Sequence, residues 1–111
     1  MAVYKQTKIN GKELFPGIIV RPVWGEKIMM MLVDIAPNAE VPLHSHPHEQ
    51  AGRVLSGSFW LTIDGKDHLL HEGDHYVIPS GVMHSAKGIE TPSLALDIYR
   101  TNVSKYNLHT I

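Results

Sequence analysis

The sequence predicts an all-β chain, an antiparallel sandwich or barrel, on three observations. Apolar and β-branched residues fall into about eight runs of strand length. Each run ends at Gly, Pro or an Asp-Gly pair. No segment sustains the 3.6-residue periodicity of an amphipathic helix. The 111 residues fit a single domain over 1–111, with no internal repeat and no low-complexity linker.

Residues 1–16 read as a loosely held arm, with a turn at Asn10-Gly11. Gly17 to Trp24 reads as an edge strand, because Pro22 has no N–H to give a central ladder. Ile28 to Ile35 is a continuous apolar run, too short between Gly25 and Pro37 for a typical helix. Its three consecutive methionines point to core or interface packing. Pro37 to Pro42 reads as a turn. Strands follow at Arg53–Leu55 and Phe59–Ile63, where one of Phe59 and Trp60 packs inward and the other faces out. Asp64-Gly65 is a hairpin signal, and Lys66–Leu70 returns. Tyr76–Pro79, His84–Ala86 and Ser93–Tyr99 complete the set before a polar tail from Arg100 to Ile111.

Composition narrows the chemistry. There is no cysteine, so there is no disulfide and no thiolate metal site. A net charge of −1 leaves no basic footprint for nucleic acid. No apolar run is long enough to span a bilayer, and the first residues lack a signal-peptide core. The expectation is a soluble, cytoplasmic protein with no nucleic-acid or membrane partner. Histidine is the unusual residue: seven of the eight lie between His44 and His84.

The densest stretch is His44-Ser45-His46-Pro47-His48-Glu49-Gln50, which reads either as a metal site or as a very polar loop. In an extended strand, His44, His46 and Gln50 share one face. His84 lies 34 residues beyond Gln50, just after the rigid Pro79-Ser80-Gly81 turn. Three imidazoles and one oxygen suit one first-row divalent ion: Ni, Mn, Fe, Zn, Cu or Co. Gln50 in place of a carboxylate leaves such a site one charge more positive, hence a stronger Lewis acid and a weaker base. His48 shares parity with the ligands and is a candidate to contact substrate or support a ligand. Arg53 is a candidate substrate cation or a solvated sheet charge. His68, His71 and His75 read as surface residues.

On these residues the chain resembles the cupin superfamily. That family's first motif is matched by Asn38, His44, His46, Gln50 and Gly57, and its second by Gly73, Pro79, Gly81, His84 and Gly88, all at the family spacing. Three residues depart: Asn38 for Gly, Gln50 for Glu, and Gly88 for Asn at what reads as a turn. The resemblance implies a double-stranded β-helix, or jelly-roll barrel, with its core at about 28–99 and the metal inside.

More narrowly, the chain is similar to the KdgF-like proteins of pectin and alginate catabolism. They linearise unsaturated uronates to ketouronates and accept Gln as a ligand. The resemblance implies a carboxylated small-molecule substrate, and it assigns substrate roles to Asp97 and Tyr99 on the last strand. Asp97 is then a candidate acid–base and Tyr99 a candidate catalytic partner. At the spacing of the family's arginine stands Val103, with Lys105 nearby. The alternatives are a dioxygenase on the same metal site, or a non-catalytic ligand-binding or sensor module. The apolar strands at 17–24 and 28–35 lead us to expect a homodimer joined through the N-terminal strands.

Overall fold

A computed structural model describes residues 2–100. Val103, Lys105 and the rest of the tail lie outside the described residues. Among the described residues, ten strands form two antiparallel sheets. They are β1 (Lys12–Phe15), β2 (Ile18–Trp24), β3 (Ile28–Ile35), β4 (Glu40–His44) and β5 (Gln50–Ser56), then β6 (Ser58–Ile63), β7 (Lys66–His71), β8 (His75–Ile78), β9 (His84–Gly88) and β10 (Ser93–Arg100). The larger sheet has the order β1-β2-β3-β10-β5-β8, and the smaller the order β4-β9-β6-β7. Among the described residues the one helical element is a 3-10 turn at Gln6–Lys8. The two antiparallel sheets bear out the β class that the strand pattern predicted, and their arrangement is the jelly roll that the cupin resemblance implied.

The inner faces form one core. Along β3, Met29, Met31, Val33 and Ile35 are buried while Ile28 and Met30 are exposed, so the apolar run has one buried face and not two. On the opposing sheet Phe59 and Leu61 are buried and Trp60 faces out, as the alternation predicted. The Phe59 ring meets the Tyr76 ring edge-on at 6.3 Å, which joins the two sheets directly. Asp64 and Gly65 take φ of 50° and 76°, the left-handed pair that a two-residue hairpin between β6 and β7 needs.

Four expectations change. The arm contains β1, which pairs with β2 along Ile18–Val20. Strand β2 is therefore not an edge strand. Pro22 fits because β1 stops short of it, so that end of β2 has a neighbour only in β3. The Pro37–Pro42 turn is shorter than expected: Asn38 takes positive φ, and β4 begins at Glu40. Gly88 belongs to strand β9, where an added Cβ would stand 2.7 Å from the Ala36 carbonyl oxygen.

The apolar-edge argument for dimerisation through β2 also loses its premise, because Ile18 and Val20 are buried in the chain's own core. Exposed apolar side chains lie instead on the outer face of the larger sheet. Met30, Ile98 and Val77 sit there, with Ala51 in register between the last two.

Candidate metal centre

The seven-residue histidine stretch is not one strand. His44 ends β4 in the smaller sheet, Gln50 begins β5 in the larger, and residues 45–49 cross between them. Strand parity therefore does not explain the convergence. The pairing of β4 with β9 does, since it sets His44 opposite His84. The register slips between Val41 and His44, a bulge of the kind that re-aims side chains beside functional sites.

The three imidazoles meet. One ring nitrogen from each of His44, His46 and His84 lies within 4.8 Å of the others. Their tautomers follow from the backbone. Nδ1 of His44 is 2.7 Å from the Pro42 carbonyl oxygen, that of His46 2.8 Å from the His48 carbonyl, and that of His84 2.8 Å from the Val82 carbonyl. A carbonyl only accepts, so each Nδ1 carries the proton and donates it. In the neutral form of each ring Nε2 then keeps its lone pair, the arrangement that orients metal-ligating histidines. Burial lowers the pKa of His46 and holds that of His84 down to about 4, so both rings are neutral and able to ligate near neutral pH.

Two orphaned atoms test whether the residues fit a metal ion. His46 Nε2 and Gln50 Oε1 are buried with no hydrogen-bond partner. A buried lone pair without a donor costs free energy unless something electropositive completes it. Three imidazoles and an amide oxygen suit a first-row divalent ion, so the donor set fits.

The larger sheet brings a second group of polar side chains. Gln50, Asp97 and Tyr99 are all buried, and Gln50 and Tyr99 are in register. Burial raises Asp97 to about 6, against the pull of hydrogen bonding from Tyr76 and Gln50. Burial and the neighbouring Asp97 carboxylate raise Tyr99. The Gln50 side chain thus adjoins His46 on one side and Asp97 and Tyr99 on the other. The Tyr99 ring also stands 5.7 Å from the His46 ring.

All six residues line one cavity of about 540 Å³ between the sheets, whose remaining wall is mostly apolar, including Met31, Phe59 and Leu61. Among the described residues no Arg or Lys lines it.

The other candidates lie elsewhere. Arg53 is exposed, next to buried Val54 and paired with Leu96, so it points away from the cavity, and its guanidinium is 3.4 Å from His75 Nε2. Of its two readings, the exposure and the register support the solvated sheet charge. His48 stacks on His46 at 5.9 Å and does not line the cavity. Its carbonyl fixes the His46 tautomer. His68, His71 and His75 are exposed as expected. One site residue escaped the sequence reading. Tyr76, taken only as a strand residue, donates its hydroxyl to Asp97 Oδ1 at 2.5 Å. The available signal was a tyrosine among core-spaced residues, since a buried phenol requires a partner.

Known proteins share this fold. The model of the cupin domain matches residues 31–99. The pectin degradation protein KdgF of Dickeya dadantii (strain 3937) is 32% identical over 77 residues, covering 68% of this chain and 70% of that protein. The structure of KdgF from Halomonas sp. superposes with a TM-score of 0.86 at 26% identity, covering 97% and 99% of the two chains. Quercetin 2,3-dioxygenase of Bacillus subtilis (strain 168) is 31% identical over 85 residues, which cover 76% of this chain but 23% of that enzyme. No helix among the described residues is long and apolar enough to cross a membrane. A jelly roll whose paired strands set His44 against His84, matched over most of its strands by the domain model, places this chain in the cupin family.

Proposed function

We propose that the protein is a metal-dependent enzyme that moves a proton on a small hydroxy-carbonyl compound, with an unsaturated uronate as the first substrate to try. The observation that carries this reading is the shared cavity. It sets a three-histidine cluster beside one buried carboxyl group whose pKa is raised by burial. The name of the pectin degradation relative supplies the substrate class.

In this reading His44, His46 and His84 hold one divalent ion through Nε2, with Gln50 Oε1 as the fourth ligand. The bound ion supplies positive charge and Lewis acidity for carbonyl or carboxylate oxygens. That charge also answers the lack of a cationic side chain in the described wall, so a carboxylated substrate needs no arginine there.

Asp97 is the proton carrier. With a pKa of about 6 it both takes and returns a proton near neutrality. Tyr99 stays protonated and offers a donor beside it. Linearising a 4,5-unsaturated uronate breaks the bond between the anomeric carbon and the ring oxygen. The anomeric hydroxyl loses a proton, and the vinyl carbon gains one. The product is an isomer, so no oxidant or further reactant is needed.

The test is to incubate metal-loaded protein with 4,5-unsaturated galacturonate and follow the enol-ether absorbance. The expected result is a faster loss than with a His84→Ala variant, and equal rates would refute the reading. The apolar wall favours one other reading, a dioxygenase. Oxygen uptake by iron-loaded protein with phenols or diketones distinguishes it, since the isomerisation consumes no oxygen. A homodimer belongs to the proposal too. The exposed row of Met30, Ile98 and Val77 is the face to test, by light scattering for twice the 12.4 kDa chain mass.

A further inference from the structure

The inner face of the larger sheet contains a gap that the metal chemistry does not explain. Tyr76 on β8, Gly52 on β5 and Asp97 on β10 form one row in register across three neighbouring strands. Tyr76 and Asp97 are thus separated by an intervening strand, yet the Tyr76 hydroxyl donates to Asp97 Oδ1 at 2.5 Å. The contact forms because the residue between them has no side chain. A Cβ at Gly52 would overlap both the Tyr76 ring and the Asp97 carboxyl oxygen. No positive φ is recorded for Gly52, so backbone conformation does not require glycine there; the close approach does.

We propose that Tyr76 is a positioning residue for Asp97: lying across β5 in the slot left by Gly52, it holds one carboxyl oxygen and turns the other toward the cavity shared with the histidines. Rotation of a carboxyl group is cheap when it is free, and a proton carrier must be held near its productive angle. The Tyr76 ring is itself held from behind, edge-on against Phe59 of the other sheet. The support therefore runs from one sheet to the other: Phe59, Tyr76, Asp97. Gln50 contacts the same carboxyl group from the metal side. Asp97 is thus oriented from two directions, and only the Tyr76 direction is independent of the metal ligands.

This inference rests on the reading of Asp97 as the proton carrier, and its test separates the two. Tyr76→Phe keeps the ring and removes the hydroxyl, and Gly52→Ala fills the slot. Crystal structures of the zinc-loaded variants should show the Asp97 carboxyl group turned from its wild-type angle, with zinc content unchanged. With 4,5-unsaturated galacturonate, Tyr76→Phe should lower kcat about 100-fold while KM stays close to wild type. In an Asp97→Asn background Tyr76→Phe should cost nothing further, because it acts only through that carboxyl group. An unmoved Asp97 in Tyr76→Phe overturns the inference, and so does a moved one with unchanged kcat. If the wild type itself shows no turnover, the isomerase reading falls, and the Asp97 angle in the variant crystals alone decides the inference. Gly52→Ala is a clash variant and Tyr76→Phe a volume-conserving one, so a folding failure in the first leaves the second to answer.

Discussion

The two sheets contribute different chemistry to one cavity. The smaller sheet supplies nitrogen: His44 and His84 come from adjacent strands, each locked by a backbone carbonyl two residues away. The larger sheet supplies oxygen: the Gln50 amide, the Asp97 carboxyl, and the Tyr76 and Tyr99 phenols. His46, in the crossing between the sheets, is the histidine that adjoins Gln50. On the nitrogen side each Nδ1 is held by the main chain, which a side-chain substitution nearby leaves in place. The oxygen side is oriented by side chains acting on one another, so each substitution there is felt by its neighbours. Metal retention and proton transfer should therefore be separable by mutation.

The largest expected effect is on the nitrogen side. His84→Ala should lower metal affinity at least about 100-fold, beyond what loss of a supporting contact costs, and abolish turnover. Calorimetric titration with Ni or Zn checks this, and an unchanged affinity would remove His84 from the site. On the oxygen side, Asp97→Asn should cut turnover by about 100-fold or more while metal content stays the same. Elemental analysis beside the rate assay would break the comparison if both fell together.

Next comes the joint between the sheets. Phe59 is 2% exposed, so Phe59→Ala should cost about 3–5 kcal/mol in urea unfolding. It should also disturb Tyr76, which it touches, more than the histidines.

The pH dependence of the metal-free protein sharpens the comparison, because the two sides have opposite signs. His84, held down to about 4, is neutral when folded where the unfolded chain is protonated. Its contribution to stability is present above pH ~6.5 and is lost as pH falls toward 4. Asp97, raised to about 6 from 3.8, binds its proton more tightly when folded, so its effect grows more favourable as pH falls through the same window. In the wild type the two oppose each other. Asp97→Asn should therefore lose stability more steeply between pH 6.5 and 4, by at most about 3 kcal/mol across the window. Equal slopes would mean that the pKa of the carboxyl group is not raised on folding.

The smallest effect belongs to Arg53. Exposed on the outer face, Arg53→Ala should change stability by no more than about 0.5 kcal/mol and leave turnover as it was. A large loss of turnover would restore a substrate role to the outer face.

Much of this could be read before folding. Strand-length runs and their Gly and Pro boundaries are local properties, so the β architecture, the hairpin at Asp64-Gly65 and the in-and-out placement of Phe59 and Trp60 followed from short-range rules. Strands β1 and β4 were not legible. Lys12–Phe15 has weak alternation, and Glu40–His44 contains a proline, so each is a strand because a neighbour pairs with it. Which side Arg53 takes was not legible for a related reason. Its side follows from its register opposite Leu96, one residue out of step with Asp97.

The amino-acid order alone determined which atoms are available: three imidazoles and an amide at a spacing shared by a metal-binding family, and an Asp two residues before a Tyr on the last strand. It did so because donor type is a property of the side chain. Tertiary structure decided which of those atoms meet. The pairing of β4 with β9 put His44 against His84, and the bare backbone at Gly52 let Tyr76 reach Asp97 across a strand. Those meetings depend on strand register and on space left empty, and both arise only when distant segments are packed together.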